Sequence, residues 1–549
     1  MDNKKPNYTR RQLFRGGLSG IIASIAAASG LARRANAQSA VDVPPPVNTT
    51  PRGLHKPPID ELARIARSFG IDLSAEELST MRDQMDGPLA SYRRLDQFVE
   101  PTLPVKYQRD AGFRPTAEQN PLNAWYRKCS IKGAPTGKLA GKRLALKDNI
   151  CLAGIPMTIG SYIMEGFVPD VDATIVTRIL DAGGEITGKA VCENLCLSGE
   201  SHTSSTGPVL NPHDPKRTAG GSSSGSAALV VAGECDMAIG CDQGGSIRIP
   251  SSYSGACGLK PTYGLVPYTA IFPFEMTLDH VGPMARTAAD CALLLEVIAG
   301  ADGLDPRQPP NIRPDMYTRF LTGDARGLRI GIVREGFRWP DAGESDVEEI
   351  VKDAAHRLTR AGATVSEISI PMHREGGHIF APIAHEGATM LLMGGNAGGS
   401  GWKGYYATSL TDFFARARRA RADDMSDILK RLILFGQYMH DSYQGHYYAK
   451  AQNLARTLRA SYDEALRNVD ALVMPTTPTK APLIPPPGAD RDEANVGGGN
   501  NTGPFDVSGH PALSVPCGMS AGLPVGMMIV GRQWEDGVVL RIADAFQRL

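Results

Sequence analysis

The sequence predicts an α/β protein: one large β-sheet covered by helices, with a separate helical segment ahead of it. Three observations carry this. From about Lys138 onward, short apolar β-branched runs alternate with amphipathic runs closed by glycine, the pattern of strands linked through helices. Between Ile59 and Phe98 apolar residues instead recur three and four apart, which is helical spacing. The chain has 549 residues, 42% of them hydrophobic and 21% charged, enough to bury a sizeable core.

In chain order, residues 1–37 read as an export signal. "TRRQLF" (Thr9 to Phe14) precedes an apolar run, Gly16 to Ala32, and "ANA" (Ala35 to Ala37) comes after it. These are a basic start, an apolar middle and a small-x-small cleavage site. The mild apolarity and the trailing Arg33 and Arg34 resemble a twin-arginine signal. Cleavage after Ala37 and a periplasmic location are expected. The run is too weakly apolar for a membrane span, and no later segment reads as one.

Residues 38–58 are a Pro- and Thr-rich linker, and residues 59–110 a helical segment. There "IDELARIARSFG" closes at Gly70, and "LSAEELSTMRDQM" carries a Ser-x-x-Glu capping box. Residues 111–549 form the main domain. "RLALKDNI", "EITGKA" and "DMAIGCD" are strands, interleaved with the helices "DATIVTRILDAGG" and "SAALVVAGE". "LRIGIVRE" and "ATVSEISI" flank the helix "DVEEIVKDAAHRLTRAG"; "DALVMPTTP", "ALSVPCG" and "VGMMIVGR" are further strands, and a last helix begins near Gly537. Residues 373–460 read as a helical insertion, a usual place to build selectivity.

The 58 basic and 58 acidic residues cancel, so the basic footprint of a nucleic-acid or anionic-membrane binder is missing. The nine cysteines are an odd number, mostly in apolar runs, and read as buried free thiols. Cys192 and Cys196 lack the second ligand pair of a zinc site. No metal and no cofactor are expected.

Two Gly/Ser clusters compete to hold a nucleophile. "AGGSSSGSAA" (Ala219 to Ala228) contains Gly221-x-Ser223-x-Gly225, formally a nucleophile elbow. A polar loop precedes it where an elbow needs a buried strand, so a turn capping a helix near Ser223 is the stronger reading. "MAIGCDQGGSIRIP" runs a buried strand into a turn. Gly244 and Gly245 there can aim successive N–H groups at one point. Ser246 then needs a base, and no histidine lies between His213 and His280. His202, His213 and His510 could fold back, though none has an orienting carboxylate in its context. Lys147, ending the apolar "LALK", serves only if burial or neighbours lower its usual ~10.4. From its own context it reads as a snorkelling strand-end lysine.

"LALKDNI", "GGSSSGSAA" and "GCDQGGSIRIPSSYSGACGLKPTYGLVP" resemble, in order and spacing, the core of the amidase signature family. The likeness runs on through "GIPMTIGS", "GKAVCENLCLSG", "TLDHVGPMART", "VMPTTP" and "GPFDVSGHPALSVPCGMSAGLPVGMMIVGR". It spans about 121–549 apart from the helices of 373–460. It is nearest to bacterial enantioselective, nitrile-hydratase-associated amidases, which also carry an N-terminal helical segment. The resemblance implies the amidase signature fold, a large mixed sheet covered by helices on both sides. It further implies a Ser–cisSer–Lys triad of nucleophile Ser246, relay Ser222 and base Lys147. The oxyanion donors would be the backbone N–H groups of Gln243, Gly244, Gly245 and Ser246, with Ser223, Asp242 and Arg248 in support. Gln243 departs from the family's usual Thr or Ile, but only its backbone is needed.

The activity implied by the resemblance is hydrolysis of a small-molecule carboxamide through an acyl-enzyme. Anilide, carbamate or ester cleavage by the same triad is the alternative. The export signal speaks against the family's tRNA-dependent transamidation subunit. The presence of Lys147, Ser222 and Ser246 speaks against a non-catalytic scaffold. Tyr268 to Glu275, Gly503 to Asp506 and the insertion are expected to wall the pocket. The helices of Ile59 to Phe98 either form a homodimer interface, as in the relatives they resemble, or cover the sheet.

Overall fold

Alternation along two neighbouring strands decides where the candidate residues meet. The computed structural model describes residues 46, 53–340, 342–486 and 499–549, so the expected signal and most of the linker lie outside the described residues. Every described residue belongs to one unit, Pro45–Leu549.

Its sheet has eleven strands: β1 (Trp125–Lys132), β2 (Arg143–Lys147), β3 (Glu185–Ala190), β4 (Met237–Asp242), β5 (Cys257–Lys260), β6 (His280–Ala285), β7 (Arg329–Val333), β8 (Thr364–Ile368), β9 (Ala471–Pro475), β10 (Ala512–Ser520) and β11 (Leu523–Val530). Their order is β1-β3-β2-β4-β6-β5-β10-β11-β9-β7-β8. The pairs β3/β2, β2/β4, β9/β7 and β7/β8 are parallel, and the others antiparallel. The mixed sheet expected from the resemblance is therefore present.

Side chains alternate faces along a strand. On β2, Leu144 and Leu146 join the larger core cluster, while Ala145 joins a smaller one with Ala227 and Ala228 of the helix Ser224–Val231. Lys147 is two residues beyond Ala145 and shares its face. On β4, Met237, Ile239 and Cys241 join the larger cluster and Ala238 the smaller, so Asp242 falls on Lys147's side. The same-face helix begins just after Ser222 and Ser223. Adjacent parallel strands thus deliver Lys147 and Asp242 by their C-terminal ends to the start of one helix, where open α/β sheets usually build their sites.

Three strands escape the sequence reading, for local reasons. β1 is a polar edge strand, β5 has four residues, and β6 carries Pro283 opposite Ile239, a residue that normally argues against a central strand.

The N-terminal segment folds as three helices, Ile59–Ser68, Ala75–Asp83 and Asp86–Leu95, burying only Ala66 and Leu78. The Ser74–Glu77 capping box forms in both directions. The insertion contains the helices Met372–Pro382, Thr408–Ala420, Asp427–Tyr443 and His446–Asn468, with π-helical turns at Ile383–Gly387 and Met390–Gly394. No helix among the described residues is long and apolar enough to cross a membrane.

Candidate active site

Lys147 does not snorkel. It has no exposed surface, and its Nζ donates to Ser222 Oγ at 2.7 Å. The Gly221–Ser222 peptide is cis. A Cβ at Gly221 would run into the carbonyls of Glu200 and Ser198, so only glycine lets the chain pass there. Ser223 does not serve as an elbow nucleophile. Its Oγ donates to the Cys241 carbonyl at 3.1 Å and accepts from the Cys241 N–H at 3.2 Å, tying the Gly/Ser loop to β4. The Ser223 N–H donates to the Ser246 carbonyl at 3.2 Å, which brings Ser246 beside Ser222. No hydrogen bond joins the two hydroxyls among the described residues.

In the turn after β4, Gly244 and Ser246 are half-buried, while Asp242, Gln243, Gly245, Ile247 and Arg248 are buried. Asp242 Oδ1 accepts the Gly245 N–H at 2.6 Å, and Oδ2 accepts those of Ile247 and Arg248 at 3.0 and 3.3 Å. Among the described residues the N–H groups of Gln243, Gly244 and Ser246 donate to nothing. Three of the four expected oxyanion donors are thus unspent, and Gly245 is engaged by Asp242. The Gln243 side chain donates to Tyr268 Oη at 3.0 Å.

Arg248 explains how Asp242 stays charged inside the protein. Its Nε and Nη2 reach the two Asp242 oxygens at 2.9 Å each, Nη2 also reaches Asp506 at 2.7 Å, and Nη1 the Thr502 carbonyl at 3.0 Å. Burial opposes the Asp242 carboxylate, but Arg248 outweighs it and holds the group well below the usual range. Burial and the Asp242 charge push Asp506 well above it. From sequence Asp506 is expected only as part of a pocket wall and Thr502 not at all, because both lie over 250 residues from the turn they support.

The lowering on which Lys147 as a base is conditional is not what its surroundings give. Burial lowers it, but Cys196, Cys241, Cys192 and Asp242 raise it further, and the net direction is up. Burial itself drives Cys241 up to about 12 and Cys192 well above the ordinary thiol value. Cys196 goes the other way: burial opposes its ionisation, and Cys192 and Lys147 overcome it.

The histidines are occupied elsewhere. His202 faces Glu200, His213 bonds the Ser254 carbonyl, and His510 bonds Ser508 and Asp463. All nine cysteines are free thiols, eight of them buried. No cluster of three or more potential metal ligands occurs among the described residues.

The insertion reaches the turn through Phe380, whose ring lies 2.9 Å from where a Gly244 Cβ would stand and also flanks Gly503. Tyr268, Ile271 and Met276 line a cavity of about 50 Å³ with Trp402, Tyr406 and Leu410. Neither Ser222 nor Ser246 lines it.

A serine paired with a buried lysine, beside a turn of unspent N–H groups, can take up a carbonyl and stabilise the resulting oxyanion. The amidase family model matches residues 113–540. The chain belongs to the amidase signature family. It is 43% identical over 497 residues to an enantioselective amidase of Rhodococcus rhodochrous, covering 89% of this chain and 95% of that one. The crystal structure of a glutamyl-tRNA(Gln) amidotransferase subunit from Thermotoga maritima superposes with a TM-score of 0.66 at 31% identity, covering 78% and 87% of the two chains. The peptide amidase of Stenotrophomonas maltophilia gives 0.62 at 30%, covering 75% and 83%. As an amidase signature enzyme, the protein is a C–N hydrolase acting on amides.

Proposed function

We propose that the protein hydrolyses a small-molecule carboxamide through a Ser246 acyl-enzyme, with Ser222 and Lys147 as the proton relay. The 2.7 Å contact between Lys147 and Ser222, shut away from water, carries this reading. Neutral Lys147 takes the Ser222 proton as Ser222 takes that of Ser246, since a hydroxyl both donates and accepts. The hydroxyl-to-hydroxyl bond forms on substrate binding, as catalytic hydrogen bonds often tighten in the complex. The N–H groups of Gln243, Gly244 and Ser246 receive the oxyanion. The relay run backwards protonates the leaving amine, and water then releases the acid.

The 43% identity to an enantioselective amidase favours small amides over tRNA-bound ones. Residues 1–37 favour export to the periplasm, where the mature chain would start at Gln38 and carry no membrane anchor; Edman sequencing of the periplasmic fraction checks both. Pairing of two copies through the N-terminal helices fits the exposure of Phe69 (74%), Leu95 (64%) and Phe98 (59%), and a monomer mass by light scattering would exclude it.

The deciding assay offers matched benzamide, propionamide, anilide, carbamate and ester substrates to the mature chain. Ammonia or amine release is expected, and Ser246→Ala and Lys147→Ala should each lower it by about 10³-fold or more. Ester cleavage that survives Lys147→Ala, without amide turnover, would overturn the relay.

A further inference from the structure

One peptide unit governs the direction of the unspent N–H groups. The Gly244–Gly245 amide is held at both ends. Its carbonyl accepts from Thr502 Oγ1 at 2.6 Å, and its N–H donates to Asp242 Oδ1 at 2.6 Å. An amide is planar, so fixing both ends fixes the plane. The flanking Gly244 and Ser246 N–H groups take their directions from it. Two glycines supply no side-chain restraint of their own, which leaves the orientation to these bonds. Gly245 has φ +136°, and a Cβ there would strike Thr502 Oγ1 and Ile249, so the hydroxyl sits hard against the turn.

Thr502 is held in turn. Its carbonyl accepts Arg248 Nη1 at 3.0 Å, and the same guanidinium grips Asp242. Asp242, the glycine peptide, Thr502 and Arg248 close a ring in which the three side chains have no exposed surface.

We infer that Thr502 is a positioning residue for the oxyanion donors, acting through the Gly244–Gly245 peptide from 258 residues along the chain. The inference rests on the reading of this turn as the oxyanion site. Donors aimed in advance stabilise charge that develops only in the transition state. Losing their aim slows the chemical step and leaves ground-state binding in place.

The test compares Thr502→Val, which removes the hydroxyl at nearly constant volume, with Thr502→Ser, which keeps it. Two reactions are followed: amide hydrolysis, and phosphonylation of Ser246 by an alkyl fluorophosphonate, which needs no amide substrate. Thr502→Val is expected to lower kcat and the phosphonylation rate by about 10- to 100-fold, with KM within about threefold. Thr502→Ser should stay within about threefold of the parent on both. The inference is overturned if Thr502→Val stays within about twofold of the parent, if Thr502→Ser falls as far as Thr502→Val, or if KM alone moves. Should Thr502→Val not fold, Thr502→Ala, which also removes the hydroxyl and adds no bulk, carries the same expectation. A parent that phosphonylates but hydrolyses no amide removes the amide reading, and the labelling ratio alone then decides for or against Thr502. A parent that does neither removes both.

Discussion

Lys147 and Lys260 each end a strand of one sheet, and neither has exposed surface. Around Lys260, burial dominates the opposing pulls of Asp506, Asp242 and Asp536 and lowers its pKa to about 7. Around Lys147 the balance tips the other way. By acidity alone Lys260 is the better base at neutral pH. Yet among the described residues its Nζ meets only the carbonyls of His510 and Pro261, at 2.7 and 3.2 Å, and a carbonyl has no proton to give. Lys147 meets a hydroxyl, and that hydroxyl lies beside Ser246. A buried amine becomes a catalytic base through what it faces, while burial sets only the pH at which it works.

The largest effect should separate the two lysines outright. Lys147→Ala is expected to lower amide turnover by about 10³-fold, the scale of a lost general base. Lys260→Met, which keeps the stem and removes the amine, should stay within about tenfold of the parent because no proton passes through it. Initial rates on one amide measure both. Equal losses would break the comparison and move Lys260 into the chemistry.

Stability against pH gives a second, smaller separation. An unfolded lysine titrates at about 10.4, whereas Lys260 in the fold titrates at about 7. Between these values the unfolded chain binds the extra proton, so Lys260 makes stability rise with pH across that window. Below about 7 both states are protonated, and the full cost of the buried charge is present. Thermal melts of the parent and Lys260→Met from pH 7 to 10 should therefore show a shallower rise in the variant. Parallel Tm curves would mean that Lys260 keeps its ordinary pKa.

Much of this architecture was legible where a signal is local. The capping box at Ser74 and Glu77, the strand "EITGKA" and the helix after Ser223 all emerge from spacing a few residues long. The pairing of Lys147 with Ser222 was legible only through family resemblance, since strand alternation gives Lys147 a face but not what covers that face. Asp506 was legible only as part of an expected pocket wall, and Thr502 was out of reach for a different reason. Thr502 lies in the polar, Gly-rich run "GGGNNTG", which reads as loop, and its hydroxyl gains meaning only when the C-terminal segment returns to the turn after β4. The upward shift at Lys147 was equally hidden, because it depends on thiols brought in by β4 and by the loop after β3.

Those thiols sharpen the comparison at its finest point. Cys196 is the largest of the groups that raise Lys147, and its own ionisation is favoured by Cys192 and by the Lys147 charge. Each thus favours the charged form of the other. In the proposed relay neutral Lys147 is the working form, so kcat/KM should climb with pH along a limb reporting its ionisation in the free enzyme. Cys196→Ser keeps a small hydrogen-bonding side chain but removes a group able to ionise in this range. Without that thiol the largest of the upward pulls on Lys147 is lost, burial weighs more heavily, and the limb should move to lower pH. Cys241→Ser should move it less, because burial drives that thiol up to about 12 and keeps it neutral at working pH. A limb that stays in place in Cys196→Ser, or moves to higher pH, would show that Cys196 does not raise Lys147.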